Sequence, residues 1–242
     1  KKTRSFASRV FRYGVATTRC KGDPTTMLRG ALITPKAKHY AAILEPKDLG
    51  GLLRAIQDYT GNFITRYALL IAPHVFVRPG ELRHADWKEI DLEEGVWRIP
   101  EGKMKARRPH AVPLSTQVVG YLKELAEMVG TEGYVFPSAR ASVRPMSENT
   151  LNAAFRRMGF TKDEVTAHGL RATASTMLNE SGLWNPDAIE RGLAHGDSNA
   201  VRGVYHRGKH WDERVRMAQW WSDYLDTIRE GGKVINLAFA KG

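Results

Sequence analysis

Residues 165–182 read VTAHGLRATASTMLNESG. Leu170, Ala174, Met177 and Leu178 recur at helical spacing and form an apolar face, and Gly182 stands where such a helix closes. At the head of the same helix, His168 and Arg171 lie three apart and share a face. The stretch therefore predicts a helix packed on a core, with a basic pair at its first turn. That pair is either a capping histidine beside a surface arginine or part of a phosphate site. Alone, an HxxR spacing is weak evidence for the second.

Working outward, most segments read as helices. KDLGGLLRAIQDY, NFITRYALLIAPHVF, STQVVGYLKELAEMVG, SENTLNAAFRRMGF, NPDAIERGLAH, SNAVRGVYHRG and WDERVRMAQWWSDYLDTIRE all carry apolar residues at helical intervals. Pro79 in VRPGEL suits the first turn of a short helix. WKEIDL and VWRIP flank Glu93-Glu94-Gly95 and predict a hairpin, with HAVPL as a third strand. YVFPS is a short extended piece. The fold class is mainly α with one small antiparallel β-sheet (α+β). Residues 5–19 predict a basic helix carrying Arg9 and Arg12. The Gly-, Pro- and Thr-rich segment after it reads as a linker.

Lys plus Arg number 37 against 26 Asp plus Glu, a formal charge of +11. That excess suits a polyanion, with nucleic acid the first candidate and an inert basic surface the alternative. Cys20 is the only cysteine, so the chain has no internal disulfide and no Cys-based zinc site. No apolar run approaches the roughly 18 residues of a membrane span. The chain opens KKTRSF without a methionine, which reads as a fragment lacking its true N-terminus, and no signal peptide stands in it.

HExxH and GxxxxGK[ST] motifs are missing, as is a tight Asp/Glu group for a two-metal nuclease. Chemistry on phosphates would then rely on fixed cations. Arginines stabilise non-bridging oxygens by paired hydrogen bonds. Histidine moves protons near neutral pH. Lysine protonates a leaving oxygen, and a tyrosine nucleophile divides the reaction into two steps. Residues of these types stand in order. Arg78 lies in VFVRPGEL, and Lys103 and Lys105 in EGKMKARRPH. The HxxR pair follows. His195 in LAHGDS stands ten residues before Tyr205.

From about Lys47 to Glu230 the chain resembles the tyrosine recombinase (phage integrase) family. It is most similar to the prophage and genomic-island branch, through RPGELRHADWKEIDL, RRPHAVPLS, HGLRATASTMLNE and QWWSDYLD. The resemblance implies that fold, and a catalytic set of Arg78, Lys105, His168, Arg171, His195 and the nucleophile Tyr205. Lys103 is the alternative lysine. Tyr224 reads as core packing beside Trp220 and Trp221, and Tyr13, Tyr40, Tyr59, Tyr67, Tyr121 and Tyr134 precede the HxxR box. Glu81 either holds Arg78 or is a solvated first-turn acid. Arg9, Arg12, Lys103, Arg107, Arg108, Arg156, Arg157 and Arg202 are candidate DNA contacts. His206 and His210 lack acidic or Cys partners, and no metal is expected there.

The implied domains are 1–25, the last helix of a core-binding domain; 26–46, a linker; 47–230, the catalytic domain; and 231–242, a tail that packs on a neighbour or on its own domain. The implied activity is integration and excision of a mobile element through a 3′-phosphotyrosyl intermediate, without cofactor. The implied setting is bacterial cytoplasm, on the nucleoid. The implied partners are double-stranded attachment-site DNA and a homotetramer formed on it. A directionality factor and a DNA-bending host protein are the candidate accessories. Rival readings are a type IB topoisomerase-like nicking-closing enzyme, a catalytically silent DNA-binding protein of the same fold, and a histidine-based metal hydrolase.

Overall fold

The computed structural model of the protein describes residues 2–31, 40–105, 107–195 and 210–231. The chain divides into two compact units, Lys1–His39 and Tyr40–Gly242. The division falls inside the stretch expected to be a linker.

The first unit holds helix α1 (Lys2–Ala16) and a 3-10 turn (Pro24–Leu28). The helix starts earlier than its apolar pattern suggested, and it stops sooner because Thr18 takes a left-handed φ of 57°. Asp23 caps the turn, accepting from the Thr25 amide at 2.9 Å and from the Ser8 hydroxyl at 2.6 Å. Those bonds, Ser8 first, hold its carboxyl below the usual range. Arg9 and Arg12 are exposed on α1.

The second unit begins its helices with α2 (Pro46–Gln57) and α3 (Phe63–Ile71). Pro46 occupies the first turn of α2, where a missing N–H costs nothing. Leu49, Leu52, Leu53 and Ile56 form its buried stripe. Gly50 lets α2 approach the end of the last helix: a Cβ there would lie 2.4 Å from the Ile228 carbonyl oxygen. Asn62 caps α3 by accepting from the Thr65 amide at 3.2 Å. The chain stays buried from Ile71 through Val77 and delivers Arg78 to the start of α4 (Pro79–Arg83).

Strands β1 (Ile90–Asp91), β2 (Val96–Ile99) and β3 (His110–Pro113) form an antiparallel sheet in that order, pairing Trp97 with both Ile90 and Val112, and Ile99 with His110. The first strand is shorter than WKEIDL suggested, since Trp87–Glu89 turns as a 3-10 helix capped by Asp86. A second sheet was not expected. Here β4 (Pro137–Ser138) pairs with β5 (Ala141–Pro145). The unit thus has two small sheets among its described residues, not one.

Helices α5 (Thr116–Val129), α6 (Thr150–Arg157), α7 (Gly169–Ser181), α8 (Pro186–Gly192) and α9 (Trp211–Arg229) complete the described elements. The core joins Ile56, Leu69, Phe155, Leu178, Ile189 and Trp221. Trp221 is buried and donates its indole N–H to the Pro73 carbonyl at 2.8 Å. Tyr224 stacks on Trp220 and Trp221, with ring centroids 5.4 and 5.6 Å away, a packing role. Behind them lies a buried polar chain. His74 Nδ1 meets the Ser222 hydroxyl at 2.9 Å, and Ser222 meets Ser115, the α5 cap, at 2.8 Å. The helix expected over SNAVRGVYHRG lies outside the described residues. No described helix is long and apolar enough to cross a membrane.

Candidate active site

The site forms where the start of α4, the first turn of α7 and the end of α8 meet. Arg171 is buried on α7. Its Nη1 donates to the Phe76 carbonyl, and its Nη2 to the Leu193 carbonyl at 2.6 Å. That Nη2 also lies 3.2 Å from Nε2 of His195. Arg78 is half-buried and donates from Nη2 to the Ala194 carbonyl at 3.4 Å. Consecutive carbonyls at the end of α8 therefore hold the two arginines.

The end of α8 explains why those carbonyls are free. The Ala194 N–H donates to the Arg191 carbonyl and the His195 N–H to the Glu190 carbonyl, each at 3.0 Å. This is the Schellman pattern, which needs a left-handed residue after the helix cap. Ala194 supplies it with a φ of 50°. An alanine there carries about 1–2 kcal/mol of strain. Ala194→Gly should therefore stabilise the protein by about 1 kcal/mol after the added chain entropy is subtracted. Thermal unfolding checks this, and an unchanged or lower midpoint would contradict it.

Glu81 is buried, so it is not a solvated acid. It accepts from the Arg78 backbone N–H at 2.7 Å and from Nη1 at 2.8 Å. Arg171 differs: among the described residues no carboxylate lies within ion-pair distance of it. Burial, and then the charge of Arg78, push its pKa down to about 10. His168, half-buried at the N-cap of α7, is held below its ordinary value by burial first, then by Arg171, Arg78 and His195. The Tyr40 ring packs against it at 4.3 Å. The same incoming segment fixes Gly169, where a Cβ would lie 1.8 Å from the Ala41 carbonyl oxygen.

The two candidate lysines differ. Lys103 pairs with Glu89 and donates to the His84 carbonyl at 2.8 Å. Lys105 is exposed in the turn between β2 and β3, with no hydrogen bond or ion pair among the described residues. Arg107 and Arg108 are exposed in the same turn, and Arg157 is exposed on α6. Arg156 instead spends Nη2 on the Val165 carbonyl at 2.5 Å and Nε on the Asn152 carbonyl at 3.3 Å, tying down the loop before α7. Tyr205, Arg202 and His206 lie outside the described residues, as does the tail beyond Gly231. His210 meets Glu213 at 2.7 Å. No group of three metal-binding side chains occurs among the described residues.

Three neighbours of the site went unread in the sequence. Tyr40 is one and Glu190, 2.7 Å from His195 Nδ1, is another. The third is His110, at the start of β3. Its ring faces the Gly192 backbone, while its Nε2 is buried without a hydrogen-bond partner among the described residues. Burial, then Arg214, Arg171 and Arg78, push its pKa down to about 3. Its one sequence signal was a histidine opening a strand in RRPHAVPLS.

A family model described as Phage integrase family matches residues 42–210. The integrase of Enterobacteria phage P4 is 41% identical over 234 residues, covering 91% of this chain and 53% of that protein. The putative protein IntB of Escherichia coli (strain K12) is 40% identical over 235 residues, covering 91% and 59%. The chain thus spans a little over half the length of these curated relatives. Among solved structures, a lambda integrase tetramer bound to a Holliday junction superposes with a TM-score of 0.59 at 19% identity, covering 81% of this chain and 58% of that one.

Proposed function

Because the chain belongs to the phage integrase family, we propose that it carries the catalytic domain of a site-specific DNA recombinase that integrates and excises a prophage or genomic island. The observation that carries the reading is Arg171. A buried guanidinium is costly without a counter-charge. Here it lies beside a second arginine and a histidine, hydrogen-bonded to backbone carbonyls, and the opposing charges of Glu81 and Glu190 act on it without an ion pair. A phosphate diester supplies the missing negative charge, and more of it as the transition state forms.

In this scheme the Tyr205 oxygen attacks the scissile phosphorus and the bond to the 5′ oxygen breaks. His168 takes the phenol proton, and Lys105 gives one to the leaving 5′ oxygen. Arg78 and Arg171 hold the non-bridging oxygens, with His195 as a further donor. The 3′-phosphotyrosyl ester conserves the energy of the broken bond, so rejoining by another strand's 5′-hydroxyl uses neither nucleotide nor metal. Lys105 takes the leaving-group role because Lys103 is already engaged by Glu89.

Arg9 and Arg12 on α1, with Lys103, Arg107, Arg108, Arg157 and Arg202, are assigned to DNA phosphates. Lys103 and Arg156 contribute less, since Glu89 and the His84 carbonyl occupy the first and backbone carbonyls the second. The segment 1–25 is assigned to a core-binding domain, and the site of action is the bacterial nucleoid. A homotetramer on DNA is carried over from the lambda integrase assembly. A directionality factor and a DNA-bending host protein are the proposed accessories. The test is incubation with a nicked attachment-site duplex. A denaturant-stable protein–DNA adduct is expected, and it should be absent in Tyr205→Phe. An adduct that survives that substitution overturns the assignment.

A further inference from the structure

We propose that Glu190 is a positioning residue for His195, fixing which ring nitrogen carries the proton and where the other points. The proposal rests on the recombinase reading, which gives His195 its task. A guanidinium only donates. Arg171 Nη2 lies 3.2 Å from His195 Nε2, so Nε2 accepts. The ring proton then sits on Nδ1, 2.7 Å from Glu190 Oε2. Both contacts select one tautomer.

Local geometry makes the clamp. Residues five apart on a continuous helix point about 140° away from each other. The left-handed turn at Ala194 folds His195 back over Glu190, whose carbonyl also takes the His195 N–H at 3.0 Å. The Glu190 side chain is 51% exposed and that of His195 46%. A pair so exposed adds little to stability, so folding stability does not account for its arrangement. Its effect is on orientation. A ring held this way donates to a phosphate oxygen only once Nε2 carries a proton, and the Nδ1–H bond to residue 190 keeps that edge turned toward the arginines.

Glu190 also faces Arg171 electrostatically, so charge and orientation must be separated. Glu190→Ala removes both. Glu190→Gln removes the charge but keeps a carbonyl acceptor for Nδ1–H. Nitrogen NMR of the His195 ring and cleavage kinetics on the nicked duplex provide the readouts. In Glu190→Ala the ring loses its Nδ1 anchor and turns off Arg171, so it should populate both tautomers, and kcat should fall about 10- to 100-fold with KM for DNA unchanged. Glu190→Gln should restore the tautomer and bring kcat to within about threefold of the parent. Cleavage as poor in Glu190→Gln as in Glu190→Ala would assign the effect to charge and overturn the proposal. Ring nitrogens unchanged in Glu190→Ala would overturn the clamp alone. A parent protein that forms no adduct overturns the recombinase reading, and with it the catalytic task of His195.

Discussion

Arg171→Lys is expected to slow strand cleavage about 10²–10³-fold, while DNA affinity changes little. Lysine keeps the charge but loses the planar fork that holds two acceptors at once. Arg171 uses that fork on the Phe76 and Leu193 carbonyls and shares an N–H with His195. An ammonium in its place satisfies one carbonyl, leaves the other buried and unpaired, and withdraws from the position a non-bridging oxygen would occupy. The unpaired carbonyl adds a stability loss of about 1–3 kcal/mol, so single-turnover cleavage is measured well below the unfolding midpoint. Affinity is spared because many exposed basic residues share the DNA contact. Cleavage within tenfold of the parent would remove Arg171 from the reaction.

The second large effect is loss of stability in acid. His74 is buried, and burial is the main reason its pKa falls to about 4; that of His110 falls to about 3. Both rings fold neutral, whereas in the unfolded chain they take a proton near the ordinary 6.5. Between that value and the folded one the unfolded state binds more protons, so stability falls as pH falls. It is fully present above about pH 6.5, and each ring removes about 3 kcal/mol by pH 4. Together these losses approach the whole stability of an ordinary domain, about 5–15 kcal/mol. Urea unfolding at pH 7.0, 5.5 and 4.0 should show the decline. His74→Asn, which keeps an N–H toward Ser222, should flatten part of it. A variant with the parent's slope would show that His74 contributes nothing.

Local signals were legible. The spacing of His168 and Arg171, and Pro79 after Arg78, each depend on residues a few positions apart. They appear in the structure where the pattern placed them. The ordered set of basic residues around HxxR gave the family. Contacts between distant segments were not legible. His110 meets the end of α8 only because β3 packs there. Tyr40 reaches His168 across 128 positions of chain. Glu190 gave no pattern, because five is not a helical interval until the chain turns left-handed. Strand β5 is mostly exposed and carries no apolar alternation, so it read as loop. Arg156 looked like a surface cation because nothing in SENTLNAAFRRMGF names the loop carbonyl that captures it.

The end of α8 has a consequence for how the cluster comes apart. Leu193 and Ala194 present the carbonyls that hold Arg171 and Arg78, and the next residue is His195. A single peptide turn is the common anchor of three side chains. Rewinding that turn by one residue would move His195 and strip one anchor from each arginine at once, leaving Arg171 on the Phe76 carbonyl and Arg78 on Glu81. Whatever shifts residues 193–195 therefore bears on all three cationic side chains in one movement.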